Sequence, residues 1–350
     1  MKTLSKWDGE GNSVWESFII IDIYMNIDIP DLEKAITKLL EKKFSIDVTK
    51  LVKEYLIWAE MSWIHTQWLL KLSWTEPLQN IPVTSDNIEI VHDTPLSQRI
   101  NAHKFPAPYV WSIATQNAIS KANDIWIWII GIYNTFSSNG AQAYYLEKIA
   151  QKWYIWYMCS RSPSSTTWFG SKDPLFWTNP LWYSFPTQSD PLVFDAATSA
   201  ITRYELVQAH MRWEDISKNL AIDNSWELTI DPQKAMNGAI LPFDLWYKSA
   251  WLSMMVELFA GPMIGSSYID NKTFKEDRWT LIIALDPNKL FGIDDILKHG
   301  TDLINKIKLS STLPGKDIRL PWENRQKIYN ISMERWYLEV DEYIYKEIFE

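Results

Sequence analysis

Residues 173–200 read DPLFWTNPLWYSFPTQSDPLVFDAATSA, and this stretch decides how the rest of the chain is interpreted. An Asn-Pro turn leads into an alternating aromatic run, and a proline then precedes a short apolar strand, Leu-Val-Phe. That strand delivers Asp195 onto Ala197, Thr198 and Ser199. A carboxylate can accept hydrogen bonds from sugar hydroxyls, and hydroxyls with free backbone N–H groups can hold a phosphate. The stretch therefore predicts a ligand-binding edge, with a helix N-cap at Thr198 or Ser199 as the alternative.

Four ordered segments resemble the malate/L-lactate dehydrogenase-like family of NAD(P)-dependent oxidoreductases. DPLFWTNPLWYSFP is similar to that family's DPLFGTNPLAFAFP segment, and LVFDAATSAI is similar to LVLDMATSA. DPQKAMNGAILPFDLWYKSAWLSMMVELFAGP resembles the run D…A…GA.LPF…KG.GL..MVE.LAG, and IRLPWENRQKI resembles IR.PGE. The resemblance extends from about residue 31 to the end of the chain.

The order of the predicted elements, with helices first and short strands in the middle, indicates an α+β fold. No G-x-G-x-x-G motif follows a predicted strand, so a Rossmann domain is not indicated. The resemblance implies a non-Rossmann, β-rich NAD(P)-binding domain and a discontinuous helical domain. We expect the helical domain at residues 1–75, with 235–280 and 325–350 returning to it. The NAD(P)-binding domain is expected at 76–234, with 281–324 returning to it.

The resemblance also implies an enzyme that passes a hydride between NAD or NADP and a small 2-hydroxy or 2-keto acid. In relatives, a Ser-His-Gly segment supplies the proposed proton donor, and a later Arg suits a substrate carboxylate. The matching residues here are Thr66, Gln67 and Lys71, and a second family histidine matches Ser137 or Ser138. Glutamine can hydrogen-bond a carbonyl but cannot supply a proton. Proton transfer would then run through water or a serine network.

Further positions carried over from the family would contact the substrate or the cofactor. Arg161 stands near the place where some relatives carry a catalytic lysine, and it could hold a carboxylate or a phosphate. Taken from the residues alone, Lys248 is better interpreted as a solvated lysine than as a cofactor contact. The implied cofactor-binding residues are Ser162, Asn179, Asp195, Ala197, Thr198, Ser199, Lys248, Ser249, Trp322 and Glu323. No metal site is expected.

Two alternatives stay open because the family's histidine positions carry Gln67 and Ser137 or Ser138. The same cofactor fold could act on an imine, whose nitrogen brings its own proton. The chain could also be a catalytically silent binding paralogue. For either enzyme, the resemblance implies a homodimer with the active site in the cleft between the domains.

The composition of the chain limits which binding partners and which cellular location are expected. The net charge of −9 and a pI of about 5.2 make nucleic acid and anionic membranes poor candidates. A single cysteine, Cys159, excludes an internal disulfide and suits a reducing cytoplasm. The first residues lack the pattern of a signal peptide, and no apolar run is long enough to span a bilayer. We therefore expect a cytoplasmic protein.

The chain has 11 glycines and 21 tryptophans. Average glycine usage would give roughly 25 glycines. Trp153 and Trp336 follow helical runs where a glycine in the left-handed conformation is common, and Trp226 sits in an apparent turn. Relatives carry glycine at the positions of Trp68, Trp177, Trp251 and Trp322. Some bacterial genetic codes read UGA as glycine, so our hypothesis is that many of these tryptophans are glycines in the living protein.

Overall fold

The computed structural model describes residues 2–7, 13–18, 24–64, 69–72, 78–136, 139–162, 164–266, 278–321 and 323–349. In chain order the strands are β1 (Lys2–Trp7), β2 (Ser13–Phe18), β3 (Tyr24–Asp28), β4 (Glu89–Asp93), β5 (Ser97–Asn101), β6 (Ile127–Thr135), β7 (Ile155–Arg161), β8 (Thr166–Thr167), β9 (Pro174–Phe176), β10 (Leu181–Phe185), β11 (Leu192–Ala196), β12 (Ala221–Ile222), β13 (Leu228–Thr229), β14 (Ala239–Ile240), β15 (Arg278–Leu285) and β16 (Tyr337–Asp341). The helices are α1 (Ile29–Leu40), α2 (Ile46–Met61), α3 (Ala107–Ile125), α4 (Ala143–Ala150), α5 (Arg203–Arg212), α6 (Pro232–Asn237), α7 (Tyr247–Ala260), α8 (Ile293–Lys308), α9 (Glu323–Arg335) and α10 (Glu342–Phe349).

A seven-stranded sheet with the order β11-β10-β7-β15-β6-β5-β4 forms the centre of the molecule. β5 and β6 pair in parallel, and the other neighbours in this sheet pair antiparallel. The central strands β6 and β15 are rich in isoleucine, as expected of strands covered on both faces. The mixture of this sheet with separate helices confirms the predicted α+β class.

Helices cover both faces of the sheet. On one face α3 packs against β6. The spacing of Ala114, Ala118 and Ala122 predicts one stripe of small residues on this helix, and all three are fully buried. On the other face α7 packs against β7 and β15, with Val256 and Ala260 in a cluster that includes Cys159. A pair of methionines in an apolar helix predicts core positions, but Met254 and Met255 of α7 are 37% and 41% exposed.

α1 and α2 form a helical hairpin in which Leu32, Ile36 and Leu40 are fully buried, as their spacing predicts. Ser45 caps α2, because its hydroxyl accepts a hydrogen bond from the Val48 N–H at 3.5 Å. The end of the chain returns to this layer, where α9 packs on α2, α10 packs on α1, and β16 pairs with β3.

The segment 235–280 was expected to return to the helical domain, but its main helix, α7, packs on the sheet. The division of the chain into two domains stays a prediction. A smaller five-stranded sheet, β13-β12-β14-β8-β9, lies beside α5 and α6, which share a buried cluster with it. In the part of the chain that the structure describes, no helix is long and apolar enough to cross a membrane.

Candidate active site

A cleft of about 630 Å³ lies where the helical layer meets one edge of the main sheet. The helical side contributes Trp63, Ile64 and Arg325, from the end of α2 and from α9. The sheet side contributes the ends of β7 and β11 and the beginnings of β10 and β15, which meet at the same edge because these neighbours are antiparallel, and residues 139–141 add to this wall. The volume falls within the range of about 300–1,000 Å³ that ligand pockets occupy.

Asp195 is the central acid of the cleft. Its Oδ1 accepts a hydrogen bond from Trp182 Nε1 at 2.6 Å, and its carboxyl also accepts from the backbone N–H groups of Gln142 and Ala143. These two amides begin α4, so the carboxylate stabilises a helix N-terminus. The side chain is reachable from the cleft, yet surrounding protein displaces bulk water. This desolvation raises the pKa of Asp195 to about 6, although its hydrogen bonds and Arg325 oppose the rise.

Four arginines line the same cleft: Arg203, Arg278, Arg319 and Arg325. Arg203 donates to the Met236 carbonyl at 2.9 Å, and Arg325 donates to the carbonyls of Ser62, at 3.1 Å, and Trp63. Burial lowers the pKa of both Arg203 and Arg325, so an anion in the cleft would stabilise their charged forms. With Asp195 and Glu205 as the acids on the wall, the cleft has an excess of positive charge suited to an anionic ligand.

Asn139, Ser160 and Thr280 form a polar network at the sheet side of the cleft. Ser160 Oγ donates to the Trp279 carbonyl at 2.9 Å and lies 3.0 Å from Thr280 Oγ1. Asn139 Nδ2 donates to Ser160 Oγ, and it lies 3.5 Å from Thr280 Oγ1. Asn139 Oδ1 is buried and has no hydrogen-bond partner within the described part of the chain. The network therefore presents an unused acceptor beside the cleft.

The sequence-based assignments divide into three groups. Ser162, Asp195 and Ala197 line the cleft. Five others lie outside the described residues: Thr66, Gln67, Ser137, Ser138 and Trp322. The remaining assigned residues are described and do not line the cleft.

Arg161 is the clearest case of the third group. Its Nη1 contacts Glu257 Oε1 at 2.7 Å, and the two side chains are only 9% and 8% exposed. Asn179 Nδ2 completes this network by donating to Glu257 Oε2 and to the Ser253 carbonyl, each at 3.0 Å. Burial raises the pKa of Glu257, and Arg161 and Asn179 partly offset that effect. This pairing indicates structural roles for Arg161 and Asn179 in place of the predicted substrate and cofactor contacts.

Thr198 and Ser199 are buried and bonded to the backbone. Thr198 Oγ1 donates to the carbonyls of Thr178 and Asn179 at 3.0 Å, and Ser199 Oγ donates to the Ile201 carbonyl at 2.8 Å. Neither residue caps the next helix, because α5 has a capping box built on Thr202 and Glu205. The alternative interpretation of this stretch, with an N-cap at Thr198 or Ser199, is therefore wrong.

The other predicted residues lie farther out. Lys71 is buried, with its Nζ 5.9 Å from the ring centroid of Tyr204, a residue that lines the cleft. Lys248 is exposed at the start of α7, and Ser249 is buried with its hydroxyl bonded to Asp244. Glu323 begins α9 and pairs with Lys308 at 3.1 Å. None of these four predicted residues lines the cleft in the described part of the chain.

The cleft arginines were missed by the sequence interpretation. Arg319 and Arg325 both lie within the IRLPWENRQKI segment, so the motif itself carried a signal for them. Arg203 lies two residues after the LVFDAATSAI segment and Arg278 lies in no quoted segment, and only the fold brings both to the cleft.

Comparison with known proteins identifies the family. Residues 27–348 match the model of the malate/L-lactate dehydrogenase family. The chain belongs to this family. The malate/(S)-sulfolactate dehydrogenase of Methanothermus fervidus is 28% identical over 76% of this chain and 78% of its own length. The Δ1-pyrroline-2-carboxylate reductase of Ancylobacter novellus is 30% identical over 66% of this chain and 69% of its own length.

Solved structures show the same fold. Sulfolactate dehydrogenase from Methanocaldococcus jannaschii superposes with a TM-score of 0.80 at 22% identity, over 93% of this chain and 95% of that one. Malate dehydrogenase from Entamoeba histolytica superposes with a TM-score of 0.85 at 18% identity, over 93% of this chain and 96% of that one. The predicted family and fold are confirmed, and this malate/L-lactate dehydrogenase family member is an NAD(P)-dependent oxidoreductase.

Replacing Asp195 by asparagine is expected to weaken NAD(P)H binding about tenfold or more, because a charge-assisted acceptor in the cleft is lost. In the parent protein the dissociation constant should rise as the pH falls through about 6, where the carboxylate becomes protonated. The variant should lack this pH dependence. Fluorescence titrations between pH 5 and 8 measure both effects.

The control for this variant is Asp215→Asn, on an exposed loop residue outside the cleft. It should bind NAD(P)H as the parent does at each pH. Equal affinity for the parent and Asp195→Asn across the pH range would remove Asp195 from the binding site.

Proposed function

We propose that this oxidoreductase passes a hydride between NAD(P) and a small 2-keto or 2-hydroxy acid bound in the cleft described above. The observation that carries the proposal is the composition of the cleft wall. The Asp195 carboxylate and four arginines line the same space, which also borders the network of Asn139, Ser160 and Thr280.

The chemistry of the lining fits NAD(P). Arginine side chains suit the oxygens of a diphosphate, and Asp195 can accept hydrogen bonds from ribose hydroxyls. Residues Arg203, Arg319 and Arg325 would hold the anionic part, and Ser162 and Ala197 would border it. When bound, NAD(P) supplies or receives the hydride. The residues of this chain then have to bind the acid, orient its carbonyl and move a proton.

For the substrate carboxylate we propose Arg278 as the main partner. It begins β15 two residues before Thr280, so the two side chains point to the same face of the strand. Arg278 is also 7% exposed and lines the cleft, whereas Arg161 does not line it. Lys71, whose Nζ lies 5.9 Å from the ring centroid of the cleft residue Tyr204, would add positive charge to the cleft.

Proton transfer would use hydroxyls, amides and water in place of an imidazole. Among the described residues that line the cleft there is no histidine. Asn139, next in the chain to Ser138, offers its free Oδ1 to a substrate hydroxyl, and Gln67 would donate to the substrate carbonyl. A protein without a strong general acid should be slower than one with histidine, since general acid–base catalysis contributes about 10²–10⁴-fold.

The test is NADH and NADPH oxidation by the purified protein with a panel of 2-keto acids and cyclic imino acids. We expect turnover of at least one 2-keto acid, and a lower kcat for Gln67→Ala. Turnover of imino acids alone would favour the imine alternative, which one relative's name supports. If the parent turns over and Gln67→Ala leaves the rate unchanged, the assignment of Gln67 to the site is wrong.

We further propose that the protein is a homodimer that uses the outer face of α7. This helix packs on the sheet with one side and leaves large apolar side chains 37–46% exposed on the other: Leu252, Met254, Met255, Leu258 and Phe259. A contiguous apolar surface of this kind is typical of an interface between subunits. The acidic net charge and the lone buried Cys159 support a cytoplasmic location without nucleic-acid partners.

Replacing Leu258 by glutamate is expected to convert the dimer to a monomer, because a charge would be desolvated inside an apolar interface. Size-exclusion chromatography with light scattering measures the mass. Leu309→Glu is the matched control, since Leu309 is 86% exposed at the end of α8 and away from α7. A dimer that survives Leu258→Glu would place the interface elsewhere.

A further inference from the structure

Six tryptophans in the structure have the left-handed backbone conformation that favours glycine. They are Trp63, Trp126, Trp153, Trp213, Trp226 and Trp336, with φ between 52° and 68°. A residue with a Cβ is strained in this region because the Cβ crowds its own backbone. The conformations expected at Trp153, Trp226 and Trp336 from the sequence are therefore confirmed, and three further positions join them.

Three of the six complete the same hydrogen-bond motif at a helix end. Trp63 N–H donates to the Glu60 carbonyl at 3.0 Å, and the next N–H donates to the Ala59 carbonyl at 3.1 Å. Trp153 and Trp213 repeat the arrangement with bonds to Ala150, at 2.9 Å, and His210, at 3.2 Å. This is the Schellman motif, whose left-handed position is usually glycine.

The same chain shows the motif with its usual residue. Gly265 N–H donates to the Pro262 carbonyl at 3.0 Å, and Ser266 N–H donates to the Gly261 carbonyl at 3.1 Å, with φ of 95° at Gly265. The tryptophans at 63, 153 and 213 therefore occupy a position that this fold elsewhere gives to glycine.

The other three positions are also turn positions. Trp126 ends α3 with its N–H bonded to the Ala122 carbonyl at 2.9 Å, and Trp336 lies between α9 and β16. Trp226 lies in the tight turn between β12 and β13, where its N–H donates to the Asp223 carbonyl at 2.9 Å. Each position reverses or ends an element, as glycine commonly does.

Aromatic character does not explain the pattern. The chain has 13 phenylalanines and 16 tyrosines, and within the described residues none of them has a positive φ. The six tryptophans are 42–67% exposed. Their ring contacts differ from one position to the next: Trp213 stacks on His210 at 6.4 Å, and Lys172 Nζ lies 3.4 Å from the Trp226 ring centroid. Trp168, without a positive φ, packs its ring on Phe176 at 5.8 Å. The feature that all six positions share is the left-handed backbone.

We infer that residues 63, 126, 153, 213, 226 and 336 are glycines in the protein that the living cell makes. This inference explains the shortage of glycine and the excess of tryptophan together, because a UGA codon that the cell reads as glycine is printed as tryptophan in this sequence. The inference does not depend on the proposed activity. It changes the cleft, because Trp63 forms part of the wall. Glycine there keeps the backbone carbonyl that Arg325 binds and removes the indole from the wall.

Peptide mass spectrometry of the protein purified from the organism that carries the gene tests the inference directly. We expect glycine at the six positions and tryptophan at 168. Tryptophan at 63, 153 or 213, the three complete motifs, would overturn it.

A stability comparison gives a second readout. The chain with tryptophan at all six positions and the chain with glycine at all six are produced in one host, and their thermal unfolding midpoints are measured. We expect a higher midpoint for the glycine form, while Trp168→Gly, the control, lowers it. Equal midpoints, or a lower midpoint for the glycine form, would count against the inference.

Discussion

Replacing Arg161 by methionine is expected to reduce the free energy of unfolding by about 3–5 kcal/mol, the usual cost of breaking a buried ion pair from one side. Arg161 and Glu257 are both about nine-tenths buried and 2.7 Å apart. Without the guanidinium, the Glu257 carboxylate would be left in the interior, with Asn179 as its remaining side-chain donor among the described residues. Urea unfolding followed by fluorescence or circular dichroism measures the loss.

The control removes both partners. The double variant Arg161→Met with Glu257→Leu should recover much of the lost stability, because an apolar pair of similar size avoids the buried charge. The outcome also separates two roles. If Arg161→Met keeps the stability of the parent and instead raises the KM for a keto acid, Arg161 is a substrate contact, as the family resemblance implied, and the structural interpretation is wrong.

Through Glu60, the free energy of unfolding of the parent is expected to fall by about 2–3 kcal/mol from pH 5 to pH 7, and Glu60→Gln should abolish this fall. Glu60 is 3% exposed near the end of α2, and its carboxyl accepts a hydrogen bond from the Leu69 N–H. Burial raises its pKa to about 8, from an ordinary value of 4.5. Because the folded-state value is the higher one, this group stabilises the fold below pH 4.5, and that contribution is lost as the pH rises through 8.

Free energies of unfolding measured from pH 5 to pH 8 test the direction of this pH dependence. The parent should become less stable with rising pH, and Glu60→Gln should be flatter over the same range. Glu41→Gln, an exposed change at the end of α1, should follow the parent. Parallel profiles for the parent and Glu60→Gln would contradict the account. The result bears on function, since the Leu69 N–H that Glu60 binds adjoins residues 65–68, which carry Thr66 and Gln67.

Local features of the fold were predictable from the sequence. The apolar spacing in α1, the Ser45 cap and the alanine stripe of α3 depend on neighbours three or four residues away, and all three are confirmed. Asp195 was predictable as a cleft residue because it ends a short apolar strand in a family motif. The glycine-like turns were predictable for the same local reason.

Long-range pairing was not predictable. Arg161 and Glu257 are 96 residues apart in the chain, and no pattern in the sequence shows that α7 carries Glu257 under β7. The same limit applies to Arg203 and Arg278, which reach one cleft from α5 and β15. Family motifs identified the cleft-facing residues Ser162 and Ala197, but they did not separate them from Thr198 and Ser199, whose hydroxyls bind nearby carbonyls.

The most direct test of the central claim is a pair of fluorescence titrations, with NADH and with NADPH, of the chain carrying glycine at the six positions identified above. We predict saturable binding of at least one of the two cofactors, weakened at least about tenfold by Asp195→Asn. Absence of saturable binding for both would contradict the assignment of the cleft to NAD(P), and with it the proposed hydride transfer.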